Sequence, residues 1–287
     1  MKIFNYFLQY IFIKIFFFIF RLIGYKKASN LGRLVGEKIG PLFKSEEIIK
    51  KNISLILPDL KNENFNPIVK NMWGNYGRIL SEYVFLKDFR YGNLDKYINI
   101  QGSEYLDEVK KKNIPVVFIS GHFSNFELMA MQIEKHGINL GAIYRPLNNF
   151  FLNNTMERIR KENICKIQIK KGISGTRDIL KLIKRNVSIA LMIDQRVTEG
   201  IQSELFGQKA YTTTIPAQLV KKFNCPVINI YIERVNSHNF QIVINKPIYF
   251  KKDETLENIT QQLNYYLEKM ILKNPDQWIL THNRWKL

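Results

Sequence analysis

His122 and Glu127 lie five residues apart in the stretch GHFSNFEL, Gly121–Leu128. An imidazole exchanges a proton near neutral pH. A carboxylate on one ring nitrogen sets the tautomer and leaves the other nitrogen as a base. Such a pair can take the proton from an attacking hydroxyl. In one continuous helix, five steps would set the two side chains about 140° apart and ~7.5 Å along the axis. With His122 in a turn and Glu127 in the first turn of a following helix, the chain doubles back and the two can meet. The plainer alternative is that Glu127 caps its helix and His122 is an ordinary turn residue. Spacing alone leaves both readings open.

The chain holds four histidines. His136 and His238 fall in polar, turn-like stretches and His282 lies near the C-terminus, so His122 is the best-placed base. The run before it, IPVVFIS (114–120), is β-branched and apolar, as a buried central strand requires. Gly121 permits a sharp turn. Ser124, with Glu127 three residues on, has the capping-box pattern of a helix start. Further strands are expected at 96–101, 138–144, 166–169, 187–194, 226–232 and 241–248. Helices are expected at 28–57, 72–86, 103–112, 124–136, 148–162, 175–185, 215–224 and 256–273. Strands alternating with helices predict an α/β fold, a mainly parallel or mixed central sheet flanked by helices. Ligands of such sheets gather at the carboxyl ends of strands. Two more strand ends carry polar residues: Arg145 and Asn148 in YRPLNN, and Asp194 and Gln195 in IDQRVTEG.

The net charge of +18 over 287 residues calls for an acidic partner: nucleic acid, an anionic membrane surface or an acidic protein. The basic residues are spread along the chain, so charge does not choose among these. The two cysteines, Cys165 and Cys225, form no metal-binding pattern and read as core thiols. Residues 3–25 are apolar over a length that crosses a bilayer. Lys14 near their centre would cost about 2.5–3.5 kcal/mol there. Arg21, Lys26 and Lys27 follow where a cytoplasmic flank is expected, and no cleavage site for a signal peptide does. A spanning anchor, a helix embedded in one leaflet and a buried helix of a soluble protein all remain open. The expected division is a membrane-anchoring helix over 1–27 and one folded domain over 28–287.

GHFSNFEL resembles the H-x4-D/E motif of the glycerolipid and lysophospholipid acyltransferase superfamily. MWGNYGRILSE (72–82), YRPLNN (144–149), IDQRVTEG (193–200), ELFGQKAYTTTIPAQL (204–219) and DQWILTHNRWK (276–286) narrow the resemblance to the lipid A biosynthesis acyltransferases. The departures are LFG at 205–207 and WILTHNRWK near the C-terminus, which bear on acyl specificity rather than on class. The resemblance implies acyl transfer from an acyl carrier protein or CoA thioester to a hydroxyl of a lipid A precursor, with no metal and no further cofactor. It implies His122 as general base, Glu127 as its orienting partner and the helix start near Ser124 as oxyanion site. Arg145 would bind a phosphate or polarise the thioester, with Asn148, Asp194 and Gln195 beside it. Asp194 would hold Arg145 or a substrate hydroxyl. Arg78, Glu82 and Arg177 are weaker candidates, and Thr212–Thr214 read first as a helix start. The implied partners are an acidic carrier protein, the lipid acceptor and an anionic membrane, with the catalytic domain on the cytoplasmic face of the inner membrane. The alternatives are a lysophosphatidate-type acyltransferase and a basic nucleic-acid-binding protein; no recognised nucleic-acid module supports the latter.

Overall fold

The structure, a computed structural model, describes residues 1–286, with the backbone alone at Asn62. The chain opens with helices: α1 (Lys2–Ile23), α2 (Tyr25–Ile39), α3 (Glu46–Ile56), α4 (Phe65–Glu82) and α5 (Leu86–Tyr91). An alternating region follows, with β1 (Ile98–Gln101), α6 (Ser103–Lys112), β2 (Val117–Ser120), α7 (Glu127–Lys135), β3 (Leu140–Tyr144), α8 (Phe150–Asn163), β4 (Ile167–Lys170), α9 (Ile173–Lys184) and β5 (Ser188–Met192). The chain closes with β6 (Ile201–Leu205), β7 (Gln208–Thr212), α10 (Ile215–Phe223), β8 (Val227–Val235), β9 (Asn239–Ile244) and α11 (Leu256–Lys273).

Seven strands form one mixed sheet in the order β1-β9-β8-β2-β5-β3-β4. β8, β2, β5, β3 and β4 run parallel; β9 is antiparallel to β8 and carries β1 parallel to itself. All of β2 is buried, as its continuous apolar run requires. From β2 the chain crosses to β3, leaving a gap that β5 later fills. From β5 it crosses to β8, on the other side of β2. Adjacent strands whose connections leave in opposite directions open a crevice at their carboxyl ends. β2 and β5 are that pair, with Ser120 level with Met192.

The expected strands all join this sheet. The hairpin β6–β7 is not among the expected elements. Its two-residue loop, Phe206-Gly207, has positive φ at both positions (54° and 67°), the backbone of a type I′ turn. A phenylalanine in the first position hides a turn that asparagine or aspartate would announce. The 28–57 region divides at Gly40-Pro41, and α4 starts at Phe65 because Pro67 is tolerated in a first helical turn.

α1 is not a core helix: it buries only Phe17 and Phe20 and leaves Phe4, Leu8, Phe12, Ile15, Phe18 and Leu22 exposed. It is long and apolar enough to cross a membrane.

α2 and α4 cross at their glycines. Gly32 and Gly36 of α2 and Gly40, just past its end, follow one another at four-residue spacing. A Cβ on Gly77 of α4 would lie 1.9 Å from the Gly32 carbonyl oxygen. This close approach sets the position of α4, whose Glu82 reaches the loop described below. Gly77→Ala is expected to lower stability by about 1–3 kcal/mol through overpacking; thermal unfolding in detergent checks it.

Candidate active site

His122 lies two residues beyond Ser120 and Asp194 two beyond Met192, so the register of β2 and β5 sets them side by side. Neighbouring strands lie roughly 4.8 Å apart. The ladder continues past the strand ends, with the Ile193 N–H donating to the Ser120 carbonyl at 2.9 Å. His122 Nδ1 meets Asp194 Oδ1 at 2.8 Å, and the His122 backbone N–H donates to Oδ2 at 2.8 Å. Trp278 Nε1 donates to the same Oδ2 at 2.9 Å. A buried carboxylate accepts, so the proton of a neutral His122 sits on Nδ1 and the Nε2 lone pair is left for a substrate. The imidazole is 20% exposed while Asp194 is 2% exposed.

The two groups shift each other in opposite directions. Burial would raise the Asp194 pKa; the charge and hydrogen bonds of His122, with the Trp278 indole, outweigh it and hold it down to about 2. Burial would lower the His122 pKa; the charge and hydrogen bond of Asp194 outweigh it and hold it above its ordinary value.

The expected hydrogen bond between His122 and Glu127 is not formed. Glu127 Oε1 accepts from Arg160 Nε at 2.8 Å, from Arg160 Nη2 at 2.6 Å and from the Tyr83 hydroxyl. The reason lies in the turn. The helix begins at Glu127 itself, and Ser124 is not its cap. Ser124 takes the left-handed conformation (φ 43°), and its buried Oγ has no partner among the described residues. The kink expected at Gly121 thus falls three residues later. Glu127 turns into the space between α4 and α8, where a guanidinium and a phenol receive it. Its charge still favours the protonated form of His122, though less than that of Asp194.

The loop between β2 and α7 is pinned from several sides. The Ser124 N–H donates to the Gln277 carbonyl at 2.9 Å, and Phe123 forms a β-bridge with Trp278. Asn125 Nδ2 donates to Glu82 Oε2 at 3.0 Å. Glu82 is fully buried and also accepts both Nη groups of Arg234, at 2.7 and 3.0 Å, and the Ser29 hydroxyl at 2.7 Å. Arg78, four residues before Glu82, donates to Ser29 at 2.6 Å instead of pairing with it. These two weaker candidates are framework. Arg177 lies exposed on α9, and Thr214 precedes α10 as a helix start.

The C-terminal segment straps these parts together. Beyond Trp278, the His282 Nε2 accepts the Arg196 N–H at 2.9 Å. Arg284 donates to the Tyr211 carbonyl and to Thr212 Oγ1, each at 2.7 Å, and Trp285 Nε1 donates to the Leu205 carbonyl at 3.0 Å.

Beside His122 opens a cavity of about 590 Å³, within the usual range of ligand pockets. It runs under α7 along one face of the sheet. Phe118, Ala190, Ala142 and Gln168 form a row across β2, β5, β3 and β4 in register. The two alanines leave the space open, and Met129, Ala130 and Ile133 of α7 cover it. Arg160 and Gln195 line the cavity, and Arg145 and Asn148 line it from exposed positions. Asp194, expected to hold Arg145 or a substrate hydroxyl, has His122 and Trp278 as partners instead. Arg160, Tyr83 and Trp278 are not among the site residues expected from the sequence. Arg160 sits in TMERIRKEN, which reads as a solvated helix face.

Replacing Asp194 by Asn removes the main charge that raises the His122 pKa and leaves burial, which lowers it by more than the charge of Glu127 raises it. The His122 titration midpoint is expected to move from above 6.5, the ordinary value, to below it; NMR of the imidazole nitrogens against pH reads this directly.

The whole chain, residues 1–287, matches the family model described as bacterial lipid A biosynthesis acyltransferase. It is 20% identical over 268 residues to the lipid A biosynthesis lauroyltransferase of Escherichia coli K12, covering 91% of this chain and 85% of the relative. It is 22% identical over 263 residues to the palmitoleoyltransferase of the same pathway and strain, covering 89% and 84%. It is 21% identical over 263 residues to the corresponding myristoyltransferase, covering 88% and 78%. With an imidazole at a sheet switch point, an apolar cavity beside it and the family matched from end to end, the chain belongs to the bacterial lipid A biosynthesis acyltransferases.

Proposed function

We propose that this acyltransferase moves a fatty acyl chain from a carrier-protein thioester to a hydroxyl of a lipid A precursor, with His122 as general base. The observation that carries the reading is the His122 ring: Nδ1 is held by Asp194, and the ring lines a largely apolar cavity. The cavity takes the alkyl chain of the donor, with the thioester at the His122 end. The acceptor oxygen attacks the thioester carbonyl carbon while Nε2 takes its proton. The carbonyl electron pair moves to oxygen. When the intermediate collapses, the carbon–sulfur bond breaks and the proton on Nε2 passes to the departing sulfur. The products are an ester and a thiol, and no acyl-enzyme is formed.

Asp194 replaces Glu127 in the orienting role. It fixes the tautomer and stabilises the imidazolium that forms. Glu127 instead positions Arg160. Arg160, bound to the carboxylate through Nε and Nη2, lines the cavity and serves as the cation for the developing oxyanion. Arg145 and Asn148 lie where a phosphate or polar head group would pass. The acyl carrier protein, the acidic donor, is matched by a body of net charge +18. The acceptor stays in a membrane, and the apolar face of α1 brings the enzyme to it, at the cytoplasmic face of the inner membrane.

His122→Ala is expected to cut transfer by about 10²–10⁴-fold with the fold retained. Lipid mass spectrometry of a deletion strain carrying the variant reads the loss, and undiminished acylation of any lipid would refute the base. New chains on phospholipid rather than on lipid A would favour the lysophosphatidate-type reading. For kcat/KM against pH, the base works only when neutral. The raised His122 pKa therefore places the acid limb above 6.5, and Asp194→Asn is expected to shift it down while lowering the plateau.

A further inference from the structure

Three chain segments at the mouth of the cavity each set an exposed apolar side chain close to a cation. After α2 come Phe43, 74% exposed, and Lys44, which lines the cavity. After β3 come Arg145 and Leu147, both lining the cavity, with Phe150 exposed just beyond. After β4 come Lys171, again lining the cavity, and Ile173, 80% exposed. These loops come together only through the fold, being 43–44, 145–150 and 171–173 in sequence. Large apolar side chains held in water lose the stabilisation that burial brings. Apolar tips beside Lys and Arg are the arrangement of an interfacial surface, with hydrocarbon below and phosphate at the level of the charges.

The rim also continues into α1. Asn149 Nδ2 donates to the Tyr6 carbonyl at 2.8 Å and to Gln9 Oε1 at 3.2 Å. Phe151 packs on Phe7 and Tyr10, with ring centroids 5.6 and 5.8 Å apart, and stacks on Phe150 at 4.1 Å. The first half of α1 therefore packs beside the loop that carries Arg145 and Leu147, and its Phe4 and Leu8 are exposed.

We propose that this rim is a second lipid-contact surface, which seats the cavity mouth against an anionic phospholipid leaflet. Phe43, Leu147, Phe150 and Ile173 enter the acyl boundary, while Lys44, Arg145 and Lys171 meet lipid phosphates. A lipid substrate then reaches His122 sideways from the leaflet without crossing water. Only this consequence rests on the proposed function; lipid contact by the rim does not.

The test uses the full chain with α1 intact. Phe43→Trp and Ile173→Trp are made separately and bound to vesicles of phosphatidylethanolamine and phosphatidylglycerol brominated along their acyl chains. The native Trp73, Trp278 and Trp285 are buried and set the wild-type baseline. Each added tryptophan is expected to shift to the blue and to be quenched beyond that baseline. Vesicle-bound protein with no added quenching overturns the proposal. So does equal quenching on phosphatidylcholine vesicles, which would remove the part given to the cations. In a second measurement, a Phe43→Ser/Ile173→Ser variant is expected to transfer about tenfold more slowly to a vesicle-borne acceptor, but at the wild-type rate to a detergent-dispersed one. Equal loss in both places these residues in the site and overturns the rim. Absence of transfer by the wild type would sink the proposed function and leave the quenching result to decide this inference.

Discussion

The Asp194 carboxylate is the interaction on which the site depends. It is buried, so each lone pair left without a donor would carry the cost of desolvation. It receives the His122 ring, the His122 backbone N–H and the Trp278 indole. These donors come from the end of β2 and from the C-terminal strap, and the acceptor comes from the end of β5. One charge thus fixes the imidazole, its tautomer and the local path of the chain. Removing the carboxylate would release all three.

Two other carboxylates do comparable work around the same loop. Glu127 holds Arg160 and Tyr83 together at the wall of the cavity. Glu82 ties α4, the β2–α7 loop and β8 through Asn125 and Arg234. Such buried charges are costly unless paired. Their concentration around one turn explains how Ser124 is kept in a left-handed conformation that a serine seldom adopts (φ 43°). The turn is held by partners distant in sequence, since it lacks a helix cap of its own.

Small residues govern the remaining geometry. Ala142 and Ala190, adjacent in register, keep the sheet surface low beneath α7. The glycines of α2 and α4 let two helix backbones approach closely, which brings α4 and its polar side chains to the loop. The packed body presents α1 with most of its apolar face uncovered, so the same fold that encloses a cavity also leaves a long apolar helix surface exposed.

Much of this was legible in the sequence. The alternation of apolar strands and amphipathic helices determined the sheet, and VVFIS followed by Gly121 put His122 at a strand end. The ordered motifs identified the family. Local spacing also joined His122 to Glu127, and there the structure differs. The partner of His122 lies 72 residues away, because β5 inserts beside β2 and its register carries Asp194 alongside. Periodicity shows which residues form a strand and which face is apolar. It does not show which strands become neighbours, because that order follows from packing helices and connections over the whole chain. Arg160 and Trp278 were hidden for the same reason: each draws its meaning from a partner that only the tertiary structure brings into contact. The β6–β7 turn was hidden locally, by Phe206 in a position where asparagine or aspartate would announce it.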